Sequence, residues 1–435
     1  LILKGARVNG QVELRQAVIE GQIYADGLAV SAIKDETAIR ADGIRVGDDI
    51  FLRGCQLKGQ ARFAGAHVGG NVELDGATLE NGGATALTLE QAEIGGKVFL
   101  RSNRAVSPQV DFHSIGEVRL LDAKLGGELS CAGAIMENPG GRALTCDRAR
   151  VDGSVFLTQG FRAHGEVRFA GARIGSNLEF QGALLENPKG YALFALDVDV
   201  KGALMLCGVG AKPLGRINLD HAVARVFFDD TASWPSPGQL EINGFRYTEL
   251  GFTGLTRWST RLQWLRLQSK QPFRSQPYEQ LAQVLRSMGR PSDAKAILAA
   301  RQDDLRRYGE LRRHDRFTNW LLGVTVGHGY FPGRIWWWVA GSIGLALCTY
   351  TLFYWSGVLV PESAMRWDAL WLQLLLLAVG KFLPIANIGI DSVWRVDSTS
   401  LGGGLLRLFE VVYRIDGWAL TALAAAALTG LIKKK

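Results

Sequence analysis

The stretch VGDDIFLRGCQLKGQARFAGAHVGGNVELDGATL (46–79) decides the fold. Its large apolar residues recur at alternating steps of six and five: Val46, Leu52, Leu57, Phe63, Val68, Leu74 and Leu79. An amphipathic helix needs steps of three and four, so this period excludes one. The short unit often reads Gly-Ala-x-aliphatic, as in Gly65-Ala66-His67-Val68, Gly76-Ala77-Thr78-Leu79 and Gly171-Ala172-Arg173-Ile174. Residues two apart on a strand share a face. Ala and the aliphatic residue therefore point inward, and the residue between them points out. That residue is polar at Arg7, His67, Thr78, Glu93, Lys124, Arg150 and Arg173.

Working outward, the same spacing holds at Leu3, Val8, Leu14, Ile19, at Leu120, Leu125, Cys131, Met136 and at Phe169, Ile174, Phe180, Leu185. A longer echo appears in VGDDIFL (46–52), IGGKVFL (94–100), VDGSVFL (151–157) and VKGALML (200–206). The physical solution is a β-solenoid over 1–233, in which each short strand pairs with the coils above and below. Two short units make a coil of about 22 residues, and roughly eight to ten coils at ~4.8 Å give a rod of about 40–50 Å. ENGG (80–83), ENPGG (137–141) and ENPKG (186–190) read as loops bulging from one edge. Open solenoid ends need caps. The following region is expected to supply one, and sequence upstream of Leu1 the other. In its Ala-x-Leu pairs and five-residue step the region resembles pentapeptide-repeat proteins, which implies a right-handed β-helix used as a scaffold or binding surface.

Composition divides the rest. The chain has 435 residues, 47% hydrophobic, with net charge +7, which excludes disorder. All 12 tryptophans lie at or after Trp234, so the solenoid core is built from small and aliphatic side chains. Residues 245–334 hold 14 Arg and 2 Lys against 7 acids, a net +9. The region 234–334 therefore reads as a basic helical connector. In it PYEQLAQVLRSMG (277–289) and AKAILAARQDDLRRYGELRR (294–313) resemble a single tetratricopeptide hairpin. Its basic residues suit anionic lipid, at about 1 kcal/mol each. Without interleaved aromatic stacking platforms they do not suit nucleic acid.

Region 335–435 is expected to enter the membrane. IWWWVAGSIGLALCTYTLFYW (335–355) carries no formal charge and spans about 30 Å, with aromatic residues at both ends. A second span is expected over about 408–432, before Lys433, Lys434 and Lys435. Between them ALWLQLLLLAVG (369–380) is too short to cross and suits a re-entrant segment over 369–387, with Gly380, Lys381, Pro384, Asn387 and Gly389 at its irregular exit. Arg407, Glu410, Arg414 and Asp416 follow at helical spacing, Glu410 and Arg414 being an i, i+4 pair. These charges either lie in lipid and pair, or belong to a helix end that projects beyond it. The basic segments before the first span and after the last place both termini, and the solenoid, in the cytoplasm of a bacterial inner membrane. The free cysteines agree with that compartment.

Helix, short helix, helix is the order of the two-transmembrane potassium-channel pore module, which this region resembles. Gly417 stands where a hinge glycine would sit. The filter position reads VGKFLPIANIG (379–389), not Thr-x-Gly-Tyr-Gly. Thr325-Val326-Gly327-His328-Gly329 is filter-like in spelling, but it precedes the first span and reads as a loop. The whole arrangement is similar to a family of bacterial proteins with pentapeptide-like repeats, a PYEQLA hairpin (277–301) and a channel-like tail (376–432). Many of these are named membrane-associated oxidoreductases. A lone re-entrant module leaves backbone polar groups poorly covered, so a homo-oligomer is expected; the solenoid offers a surface for a protein partner, and the family name implies an enzyme with an unrecognised cofactor. The residues themselves supply no G-x-G-x-x-G, no phosphate loop and no metal-ligand spacing among the six histidines. The expectation is a non-enzymatic protein with no catalytic, metal or cofactor site.

Overall fold

The computed structural model describes residues 1–32, 37–102, 110–208, 214–251, 257–362, 367–383, 394–397 and 400–429. The chain forms two compact units, Leu1–Ile297 and Leu298–Lys435.

The first unit is a β-solenoid of about nine turns. Its strands form one thirteen-stranded and one seventeen-stranded sheet with parallel pairing. One column runs in register through Val18, Arg45, His67, Glu93, Lys124, Arg150, Arg173, Asp199, Val223 and Arg246. The expected face assignment holds. His67, Glu93, Lys124, Arg150 and Arg173 are exposed, while Ala66, Ala92, Ala123, Ala149 and Ala172 are buried beside the aliphatic column Val68, Ile94, Leu125, Val151 and Ile174. Cys131 lies in the same core, and burial pushes its thiol well above the usual range.

Coil length varies because extra residues are extruded from the thirteen-stranded sheet while the column on the other sheet stays aligned. Arg45 to His67 is 22 residues, and His67 to Glu93, which contains the first bulge, is 26. The three predicted bulges lie in alternate strands of the thirteen-stranded sheet, Thr78–Thr88, Ile135–Thr145 and Leu184–Phe194, where the register shifts. Each is closed by its own asparagine. Asn81, Asn138 and Asn187 donate to the carbonyls of Thr85, Arg142 and Tyr191 at 2.7, 2.8 and 2.9 Å. Glycine is required where coils touch at a corner: a Cβ on Gly69 would lie 2.1 Å from the Gly47 carbonyl oxygen.

Parallel pairing continues past Ser233 to Leu250. Helices α1 (Trp258–Leu265) and α2 (Gln276–Ser287) cover the last coil. Gln276 accepts from the Gly244 amide at 2.7 Å, and Gln280 donates to the Tyr247 carbonyl at 2.6 Å, so edge backbone groups find partners. Beneath them Arg261 and Asp229 form a fully buried ion pair at 2.7 Å, with Trp234 donating to the second Asp229 oxygen at 2.8 Å. Burial raises the Asp229 carboxyl above its ordinary value against the pull of Arg261. Breaking such a pair by removing one member costs about 3–5 kcal/mol. Helix α3 (Pro291–Tyr308) follows α2.

In the second unit α4 (Arg313–Val326) precedes α5 (Ile335–Trp355), α6 (Trp367–Phe382) and α7 (Leu401–Leu428). Helix α4 is absent from the sequence reading. It reaches Val326, and Gly327–Gly329 form a tight 3-10 turn behind it, with left-handed backbone at Gly327 and His328. The core of this unit joins Ala346, Tyr350, Leu374, Ala378, Phe382, Leu406, Tyr413 and Leu420.

Candidate functional site: charged residues among apolar helices

Two helices, Pro332–Trp355 and Leu401–Leu428, are long and apolar enough to cross a bilayer. Only 22% of the most apolar window of each is buried within the protein, whereas the core helix of a soluble domain is mostly buried. Helix α6 has 16 residues, about 24 Å at 1.5 Å each, and is too short to cross.

The segment that carries α6 starts and finishes at one end of the bundle. Strands Leu359–Pro361, just after α5, and Trp394–Val396, just before α7, pair antiparallel. The chain between them therefore starts and finishes at the same level. The far end of α6 lies part-way along α7. A Cβ on Gly417 would sit 2.2 Å from the Phe382 carbonyl oxygen. Helix α7 is continuous through Gly417, and the missing side chain admits the end of α6. The Tyr413 hydroxyl donates to the Ala378 carbonyl at 2.9 Å and stacks on Phe409.

Around this contact the charged residues separate into two groups. Glu410 faces Lys381, in the last turn of α6, at 3.7 Å, and both side chains are largely buried. Asp416 accepts from the Ser342 hydroxyl of α5 at 2.5 Å. A cation suits the last turn of a helix, where unpaired carbonyls concentrate negative charge. Arg407 and Arg414, by contrast, lie on the exposed side of α7. Gly380 is half-buried beside Lys381; Pro384, Asn387 and Gly389 lie outside the described residues. The Gln373 Oε1 atom of α6 is buried without a hydrogen-bond donor among the described residues.

Depth follows from the cross-contacts. Ser342 is level with Asp416, and Tyr350 packs edge-on against Phe409. Glu410, Arg414 and Asp416 thus lie beside the uncharged α5 between Ser342 and Tyr350, while Arg407 lies nearer its C-terminal end. Ser342 and Tyr413 were missed by sequence reading. The usable signal was the helical stripe Leu406, Tyr413, Gly417, Leu420, which is the buried face of α7.

No family model, curated protein or solved structure matches this chain. Among the described residues no group of His, Cys, Asp and Glu is arranged to hold a metal ion. A solenoid followed by two membrane-capable helices is compatible with a membrane protein that carries a scaffold.

Proposed function

We propose that this chain is a non-enzymatic bacterial inner-membrane protein, in which a cytoplasmic β-solenoid scaffold is joined to a homo-oligomeric, channel-like membrane module. The observation that carries the reading is α6, a short apolar helix in a segment whose two flanking strands pair at one end of two long helices. Irregular backbone at membrane depth is tolerated only against protein or a wet cavity. A single copy covers α6 on one side and leaves Trp371 and Leu372 exposed on the other, which favours assembly with further copies. The net +9 of residues 245–334 supports a cytoplasmic side with anionic lipid.

The buried Lys381–Glu410 pair distinguishes this module from a potassium pore. The end of the short helix faces a fixed cation paired to a carboxylate, where a potassium pathway would offer unpaired carbonyl oxygens. The expected pathway is closed at rest by this pair.

Reconstitution of the full chain into sealed vesicles tests the reading. Ion flux that rises when Lys381 and Glu410 are both made neutral is expected, with no visible chromophore. Absence of flux in either protein removes the channel and leaves a membrane-anchored scaffold. A stoichiometric flavin or haem band would overturn the non-enzymatic reading in favour of an oxidoreductase.

A further inference from the structure

We propose that α4 lies flat in the membrane–water interface, with its outer face in the headgroup region of a bilayer containing anionic lipid. The inference rests on reading α5 and α7 as membrane spans and adds an element that the spans do not require.

Three observations carry it. First, α4 has a covered inner side and an exposed apolar outer side. Asn319, Leu322, Gly323 and Val326 follow helical spacing on the inner side, and none of them is exposed. Phe317, Trp320 and Val324 follow i, i+3, i+7 on the opposite side and are 61%, 46% and 37% exposed. The rings of Phe317 and Trp320 lie 5.8 Å apart and form one exposed surface. Second, the charge of the same helix is basic. Arg312, Arg313 and Arg316 are exposed at its N-terminal end, while the nearby acid, Asp315, faces His314 at 3.3 Å. Arginine stems lie along apolar surface and lift their charge toward phosphate. Third, this surface continues into the start of α5. The Trp338 indole donates to the Val324 carbonyl at 3.2 Å, and Trp336 and Trp337 are 64% and 81% exposed. Tryptophans at the end of an apolar span mark the headgroup level. Helix α4 is held at that level by its C-terminal end.

Aromatic and apolar residues on one face, with basic residues flanking them, are the composition of helices that lie in the interface plane. A water-facing helix would gain nothing from three exposed apolar side chains in register. Anionic lipid is the occupant favoured by charge, at about 1 kcal/mol or roughly fivefold per arginine.

The test uses the full chain in vesicles of phosphatidylcholine with or without phosphatidylglycerol, in a Cys348→Ser background. An environment-sensitive dye is placed at Trp320→Cys, at Phe317→Cys and, as a water-exposed control, at Glu310→Cys. The first two sites should be quenched by lipids brominated near the headgroup and shielded from aqueous iodide. Spin-labelled phosphatidylglycerol should be preferred several-fold over phosphatidylcholine, and replacing Arg312, Arg313 and Arg316 with glutamine should remove that preference. Iodide access at residues 317 and 320 equal to that at 310, in protein that resists alkaline extraction, would overturn the proposal and leave the spans standing. Protein released by alkaline extraction would instead refute the spans themselves.

Discussion

The Tyr413 hydroxyl, on the buried face of α7, donates to the Ala378 carbonyl one turn before the end of α6 at 2.9 Å. This bond holds the short helix at the depth where Gly417 makes room for its last carbonyl. Tyr413→Phe would leave that carbonyl with one partner fewer in a buried site. The expected loss is about 1–2 kcal/mol, read as a lower unfolding temperature in detergent. An unchanged midpoint would show that the contact does not fix α6.

Lys381 and Glu410 share a largely buried site. Lys381→Met or Glu410→Leu alone strands one charge and should cost about 3–5 kcal/mol, while the double variant should recover most of it. A double-mutant cycle measures the coupling. Additive losses would mean that the two charges do not interact.

In the solenoid, the two kinds of glycine make contrasting predictions. Gly69→Ala would drive a methyl into the Gly47 carbonyl oxygen and should cost about 1–3 kcal/mol, loosening the coils on both sides. Gly65 has φ +62 and open space around it, so Gly65→Ala meets only the left-handed backbone penalty of about 1 kcal/mol. Gln91 and Asp122 hold the same conformation at the equivalent corners, which shows that this corner tolerates a side chain. Hydrogen exchange of strand His67–Val68 should separate the two variants.

Asp303 faces His328 at 3.5 Å, and this hydrogen bond holds its carboxyl below the ordinary carboxylate range, against partial burial. A lowered folded value favours folding above the unfolded value and loses that contribution as pH falls through the folded one. The wild-type thermal midpoint should therefore drop more steeply than that of Asp303→Asn as pH falls below about 4. Parallel curves would dissociate Asp303 from the stability of this turn.

Much of the solenoid was legible because its constraint is local and periodic. The Gly-Ala-x-aliphatic unit sets both the corner and the inward face, so Ala66 and Val68 could be placed from spacing alone. Coil lengths were less legible, since the Asn81, Asn138 and Asn187 bulges add residues without shifting the inward columns. Helix α4 was hidden because its inner face offers Asn319 and Gly323 in place of large apolar residues. Its aromatic stripe points away from the protein. The charged set of α7 was visible as a pattern, but its depth was not. That depth is fixed by Ser342 and Tyr350 of α5, far away in sequence, and the partner of Glu410 is Lys381 on a third helix.

The central claim is that α6 dips into the membrane and returns. It is tested by single cysteines at Glu362 and Asp397, which flank the dip, and at Glu310 before α4, in a Cys348→Ser background. The account predicts that a membrane-impermeant thiol reagent reaches 362 and 397 from one side of sealed vesicles and 310 from the other. Labelling of 362 and 397 from opposite sides would make α6 a third crossing and contradict the account.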